Sequence, residues 1–186
     1  GALEVTSGSG RLEPGLQGPF TNDGAGHQSV VLGVSGINYH TLVLTGGDIK
    51  TQTFGPIATI TGTTTVAAGT QFNNRAQTIY QGGFINNGTT VVSAEQQYQG
   101  NFTNTGSYSA SAAQNYQGDF TNTGTFASGS QEHRFNGNTP QLITGETTFS
   151  VVAFDNSADV TLANDVLVED RIPVDQSACR RASFTR

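Results

Sequence analysis

The chain has 186 residues, of which 34% are hydrophobic and only 12% charged, with 24 glycines, one cysteine and a net charge of −6. A pI near 4.8, a single lysine (Lys50) and scattered arginines exclude nucleic acid as a partner, because phosphate backbones demand basic clusters. No stretch approaches the roughly 18 consecutive apolar residues of a helical membrane span, so none is expected.

Low hydrophobicity with low charge is only half of the signature of disorder. A polar, uncharged, glycine-rich chain orders when its backbone groups pair in long ladders. Methionine is absent even at position 1, which is expected of a mature protein after removal of a secretion signal, or of an excerpt. Cys179 alone cannot make an internal disulfide or a thiolate zinc cluster. It is either a free thiol near the terminus or an inter-subunit link.

In residues 1–79, "VVLGV" and "TLVLTGG" have the composition of strands bounded by glycine turns. "GPFTNDG" at 18–24 echoes "GDFTNTG" at 118–124. "ITGTTTVAAGTQF" places Val66, Ala68 and Phe72 on alternate positions, as an irregular coil leading into Tyr80.

Residues 80–133 repeat one pattern three times at a spacing of 18. Tyr80, Tyr98 and Tyr116 recur, then Gln81, Gln99 and Gln117, then Gly82, Gly100 and Gly118. Phe84, Phe102 and Phe120 follow, then Asn86, Asn104 and Asn122, then Gly88, Gly106 and Gly124. The second half of each copy keeps only its character, as in Thr90, Tyr108 and Phe126, then Val92, Ala110 and Ser128. Almost all held or apolar positions are even-numbered, while odd positions vary among polar types. Period two means strands with even residues inward and odd residues toward solvent. A short unit repeated at fixed length, unable to bury its own face, is the mark of a solenoid.

The predicted fold is therefore an all-β solenoid with about 18 residues per coil. Three sides of about six residues make a triangular β-helix, and two longer sides make the flattened alternative. Equivalent residues would stack at about 4.8 Å. Phe84, Phe102 and Phe120, with Tyr80, Tyr98 and Tyr116, are expected as inward columns, and Asn86, Asn104 and Asn122 as an amide ladder. Between positions 51 and 130 only Arg75, Glu95 and Asp119 are charged, consistent with stacking, since like charges piled at that spacing repel.

Residues 134–186 continue as irregular coils and a terminal segment within the same single domain. "RFNG" places Phe135 nineteen residues after Tyr116, so the register slips there. "DVTLANDVLVEDRI" again has the pattern of strands separated by turns. Seven of the fourteen acids lie between Glu146 and Asp175.

The stretches "INYHTLVLTGGDIKTQTFGPIATITGTTTVAAGT" (37–70) and "FNGNTPQLITGETTFSVVAFDNSADVTLANDVLVED" (135–170) resemble repetitive β-solenoid surface and filament proteins of the Bacteroidota. That resemblance implies an adhesin-like or filamentous extracellular role. The "YQGxFxNxG" unit also resembles curlin repeats, although its length, its Phe and its missing second Gln differ from them.

Nothing in the sequence points to catalysis. There is no Gly-x-Ser-x-Gly elbow, phosphate loop or zinc motif. His27, His40 and His133 lie far apart and are expected to be solvent-exposed or in turns. Asp155, Asp159 and Asp165 lack the dense glycine–aspartate runs of calcium-binding solenoids and are expected to form a solvated acidic surface. Glu169 and Asp170 are adjacent and would point to opposite sides of a strand. The sequence thus predicts a non-enzymatic chain without cofactor or metal, a subunit of an extracellular filament that joins copies of itself head to tail. The alternative is a monomeric adhesin or glycan-binding module.

Overall fold

The structure, a computed structural model, describes residues 3–5, 19–30, 32, 38–53, 55–171 and 183–184. Among these residues the regular elements are short β-strands, arranged in three parallel sheets of ten, eight and six strands. Each strand pairs with its counterpart one coil later. Phe84–Asn86 pairs with Phe102–Asn104 in the first sheet, Thr89–Val92 with Ser107–Ala110 in the second, and Gln96–Tyr98 with Gln114–Tyr116 in the third. The chain visits the three sheets in rotation, so the fold is a three-sided β-solenoid. Six successive turns, from Pro19–Asn22 to Glu132–Phe135, place a strand on every side.

Local chemistry explains the triangle. Strands of three or four residues alternate buried and half-exposed positions, and the corners between them are made at glycine. A Cβ on Gly100 would lie 2.1 Å from the Gly82 carbonyl oxygen, and one on Gly106 2.0 Å from that of Gly88. Successive corners pack backbone against backbone, and any side chain there would wedge the coils apart. This is why Gly82, Gly100 and Gly118, and Gly88, Gly106 and Gly124, recur in the sequence.

The coil length is 18 residues in the regular block, where Phe84 faces Phe102 and Phe102 faces Phe120. Before it, Phe20 faces Leu42 and Leu42 faces Thr64, a spacing of 22. Extra residues there are taken up in turns with positive φ at Gly26, Gly46 and Gly47. Ala68, expected inward, is exposed beside Gly69, which has φ +76°, while Val66 and Phe72 are fully buried. After the block, Tyr116 faces Phe135 nineteen residues later, the slip read in the sequence.

The second sheet stops at Thr125–Ala127. The eight-residue strand Thr147–Phe154 runs past it and pairs only in the third sheet. Its first half is fastened to the preceding coil by a side chain, the Ser150 amide donating to Ser128 Oγ at 2.9 Å. Its pairing with Val166–Arg171 shifts register between Phe149 and Val151. The ten-stranded sheet runs from Leu3–Val5 to Ser183–Phe184. Cys179 lies outside the described residues.

Candidate functional site

The interior is a set of axial columns. Phe84, Phe102 and Phe120 stack with ring centroids 5.7 and 5.0 Å apart and planes within 9°. Tyr80, Tyr98 and Tyr116 stack at 5.1 and 5.3 Å, and Phe135 and Phe154 extend that column. The two columns meet edge to face, for example Tyr98 on Phe102 at 5.0 Å. Offset stacks along the axis with T-shaped contacts across it are the favoured arrangements of ring quadrupoles.

Asn86 Nδ2 donates to Asn104 Oδ1 at 2.7 Å, and Asn104 Nδ2 to Asn122 Oδ1 at 2.8 Å. The second amide hydrogen of each rung goes to the backbone carbonyl of the following coil, Ser107 or Thr125, at 2.8 and 2.9 Å. Thr90 Oγ1 donates to Asn86 Oδ1 at 2.9 Å. The ladder terminates on Thr147 Oγ1, 3.1 Å from Asn122 Nδ2. Buried amides are tolerated here because each finds partners in the next rung.

A second polar line, between the second and third sheets, was not anticipated. Asn74 Nδ2 donates to Tyr80 Oη at 3.0 Å and to Gln96 Oε1 at 2.9 Å. The Tyr98 and Tyr108 hydroxyls are 2.7 Å apart, and Tyr108 donates to Gln114 Oε1 at 3.0 Å. Thr78, Gln96, Gln114 and His133 occupy equivalent rungs. The signal was available, since Gln96 and Gln114 are even-numbered and 18 residues apart. Burial holds the phenols of Tyr80, Tyr98, Tyr108 and Tyr116 well above the ordinary tyrosine range.

His133 corrects the expectation of an exposed or turn histidine: it is fully buried in this line. Its Nε2–H donates to the Ser128 carbonyl at 2.8 Å, which leaves Nδ1 to accept from the Tyr116 hydroxyl at 3.1 Å. Burial lowers its pKa from 6.5 to about 4, against the opposing bond to Ser128. His27 and His40 are exposed, as expected, and hydrogen-bond to Thr51 and Thr61.

Lys50 is also wholly inside the tube. Its Nζ donates to the Gly24 carbonyl and, at 2.5 Å, to Gln28 Oε1. Desolvation lowers its pKa, opposed by the nearby charges of Asp48 and Asp23.

The outward faces carry little charge over the regular block. On the third sheet, Glu132, Arg134 and Asp155 form a triad, with Arg134 2.6 Å from Glu132 and also bonded to Asp155. Hydrogen bonding to Glu132 is the main cause of the raised Arg134 pKa. Gln81, Gln99 and Gln117 are outward at one corner, their backbone amides bonding the carbonyls of Ile60, Tyr80 and Tyr98. On the second sheet a shallow groove of about 450 Å³ is lined by Gln71, Asn73, Arg75, Val91 and Ser93. A second groove, of about 590 Å³, lies among Glu146, Thr147, Asp165 and Leu167. Asp155 is thus engaged by Arg134, while Asp159 and Asp165 are exposed. Among the described residues no three His, Cys, Asp or Glu side chains converge as a metal site would require, and no helix is long and apolar enough to cross a membrane. Compared with known proteins, the chain matches no family model, no curated protein and no solved structure.

Proposed function

We propose that this chain is a structural subunit of an extracellular filament, joining copies of itself head to tail along the solenoid axis. The observation that carries this reading is the direction of its backbone hydrogen bonds. All three sheets propagate along one axis, and at one end the outermost strands are Val166–Arg171 in the third sheet and Ser183–Phe184 in the first, while Thr147–Phe154 runs past the last strand of the second. No helix covers these edges among the described residues. An uncovered parallel edge is a template for another strand, and a head-to-tail contact propagates as an open fibre. Copies that continue the ladder would add rungs of the kind that already hold each coil to the next, with Cys179 available to lock the junction. A structural role also accords with the stacked side chains that fill the interior of the regular block.

Electron microscopy of the purified protein at high concentration is the test. Filaments are expected, and deletion of residues 171–186 should abolish or shorten them. A protein that stays monomeric by light scattering at every concentration overturns the proposal. One observation favours the alternative of a glycan-binding surface module: the groove beside Arg75 and Asn73 presents amide, hydroxyl and guanidinium groups on an otherwise uncharged face. Binding to a glycan array that Asn73→Ala and Arg75→Ala abolish would support that reading.

A further inference from the structure

The strands Gln28–Val30 and Asp48–Gln52 pair in register, so that Gln28 and Lys50 are direct cross-strand neighbours in the second sheet. Both point into the tube: Lys50 is 0% exposed and Gln28 7%. On its other side Lys50 faces the buried Phe72. Its amine lies 2.5 Å from Gln28 Oε1. The other end of that carboxamide, Nε2, is buried and has no hydrogen-bond partner. Gly24 leaves room for the carboxamide, since a Cβ on that residue would lie 1.9 Å from Gln28 Nε2. A buried amide that leaves both hydrogens unbonded beside a buried amine is a costly ground state. It is also a reactive pair held in contact.

We infer that Lys50 and Gln28 are joined by an intramolecular isopeptide bond between Nζ and the side-chain carbonyl carbon, formed with loss of ammonia. In the step, the lone pair of the neutral amine attacks Gln28 Cδ and the carbonyl electrons move onto Oε1. The Cδ–Nε2 bond then breaks, a proton from Nζ is delivered to Nε2, and ammonia leaves. One amide replaces another, so the reaction consumes no oxidant or reductant. Burial favours the neutral, nucleophilic form of a lysine. Fixing the two groups in contact supplies an effective concentration no solution pair reaches. The charges that act on Lys50 are those of Asp48 and Asp23, and Asp23 Oδ1 is buried without a hydrogen-bond partner. The product removes both liabilities at once, because the buried amine is consumed and the unbonded Nε2 hydrogens leave with the ammonia. It also ties two adjacent coils covalently near the N-terminal end of the solenoid, where the coil length is irregular. This inference does not depend on filament formation.

Lys50 is the only lysine in the chain, which makes the test clean. Mass spectrometry of the intact, denatured protein should give a mass lower than that of the sequence by one ammonia. Fragmentation should recover a peptide pair linked through Gln28 and Lys50. An amine-reactive label applied after denaturation should find only the N-terminal amine. The Lys50→Arg variant should have its full sequence mass, whether or not it folds. A full-mass wild-type protein whose Lys50 takes the label overturns the inference. So does a deficit that persists in Lys50→Arg, which would locate the loss at the Asn87–Gly88 or Asn136–Gly137 peptides instead.

Discussion

Phe102 meets six aromatic rings of the regular block: it stacks on Phe84 and Phe120 and makes edge-to-face contacts with Tyr98, Tyr108, Tyr116 and Phe126. Its neighbours are held in register by backbone ladders on either side, so they cannot collapse into a gap. Phe102→Ala should cost about 3–5 kcal/mol in denaturant unfolding. Thr103→Ala, on the outward half-exposed row beside it, should stay within about 0.5 kcal/mol. His133 makes stability depend on pH. Its folded pKa, about 4, lies below the 6.5 of the unfolded chain, so the unfolded state takes up the proton first. The stabilisation from a neutral His133 is present in full above pH 6.5 and is lost as the pH falls from there to about 4. The loss should approach about 3 kcal/mol. Denaturant midpoints across that range should fall for the wild type and much less for His133→Gln.

The element that repeats is a coil whose strands and corners have separate requirements. At the corners the requirement is absence of a side chain. Gly106→Ala brings a methyl against the Gly88 carbonyl and should destabilise by about 1–3 kcal/mol through forced backbone displacement, with thermal melting as the measurement. Along the strands the requirement is continuity of partners. Asn104 accepts from one rung and donates to the next, so Asn104→Ala orphans groups on both sides and should cost about 1–3 kcal/mol. In a double-mutant cycle, the effect should be coupled to that of Asn122→Ala.

At the scale of the whole molecule, each coil bonds chiefly to the coil before and the coil after. Deleting residues 98–115 removes one complete 18-residue unit and brings Phe84 opposite Phe120 in the register now held by Phe102. The shortened chain should fold to the same strand-rich circular dichroism spectrum, with a lower denaturant midpoint. A chain that instead unfolds outright would show that the coils are not interchangeable. Assembly should respond to salt. The outermost strand Val166–Arg171 carries exposed Glu169 and Asp170, with exposed Asp165 just before it. If copies join head to tail as proposed, these carboxylates would lie at the junction, where salt screens like-charge repulsion. Filament yield should rise with ionic strength, measured by light scattering and microscopy.

The regular block was legible in the sequence because a solenoid writes its three-dimensional neighbours at a constant distance along the chain. Spacing alone placed Phe84 beside Phe102 and Asn86 beside Asn104. Parity alone placed them inside. The same parity pointed Lys50 inward, a signal that its charge obscured. Where coil length changes, that code changes with it. The nineteen-residue coil between Tyr116 and Phe135 reverses parity, so odd-numbered His133 and Phe135 turn inward and His133 enters the polar line. Which insertions bulge outward, as at Gly46 and Gly47, and which shift the phase is settled by packing against the adjacent coil. So is the loss of the second sheet after Ala127, where Ser128 caps a passing strand through its hydroxyl. The sequence by itself determined the repeat, its inward columns and the coil that results. The number of sides, the fate of the irregular coils and the enclosure of Lys50 against Gln28 were decided by tertiary structure, because they depend on how each coil seats on its neighbour.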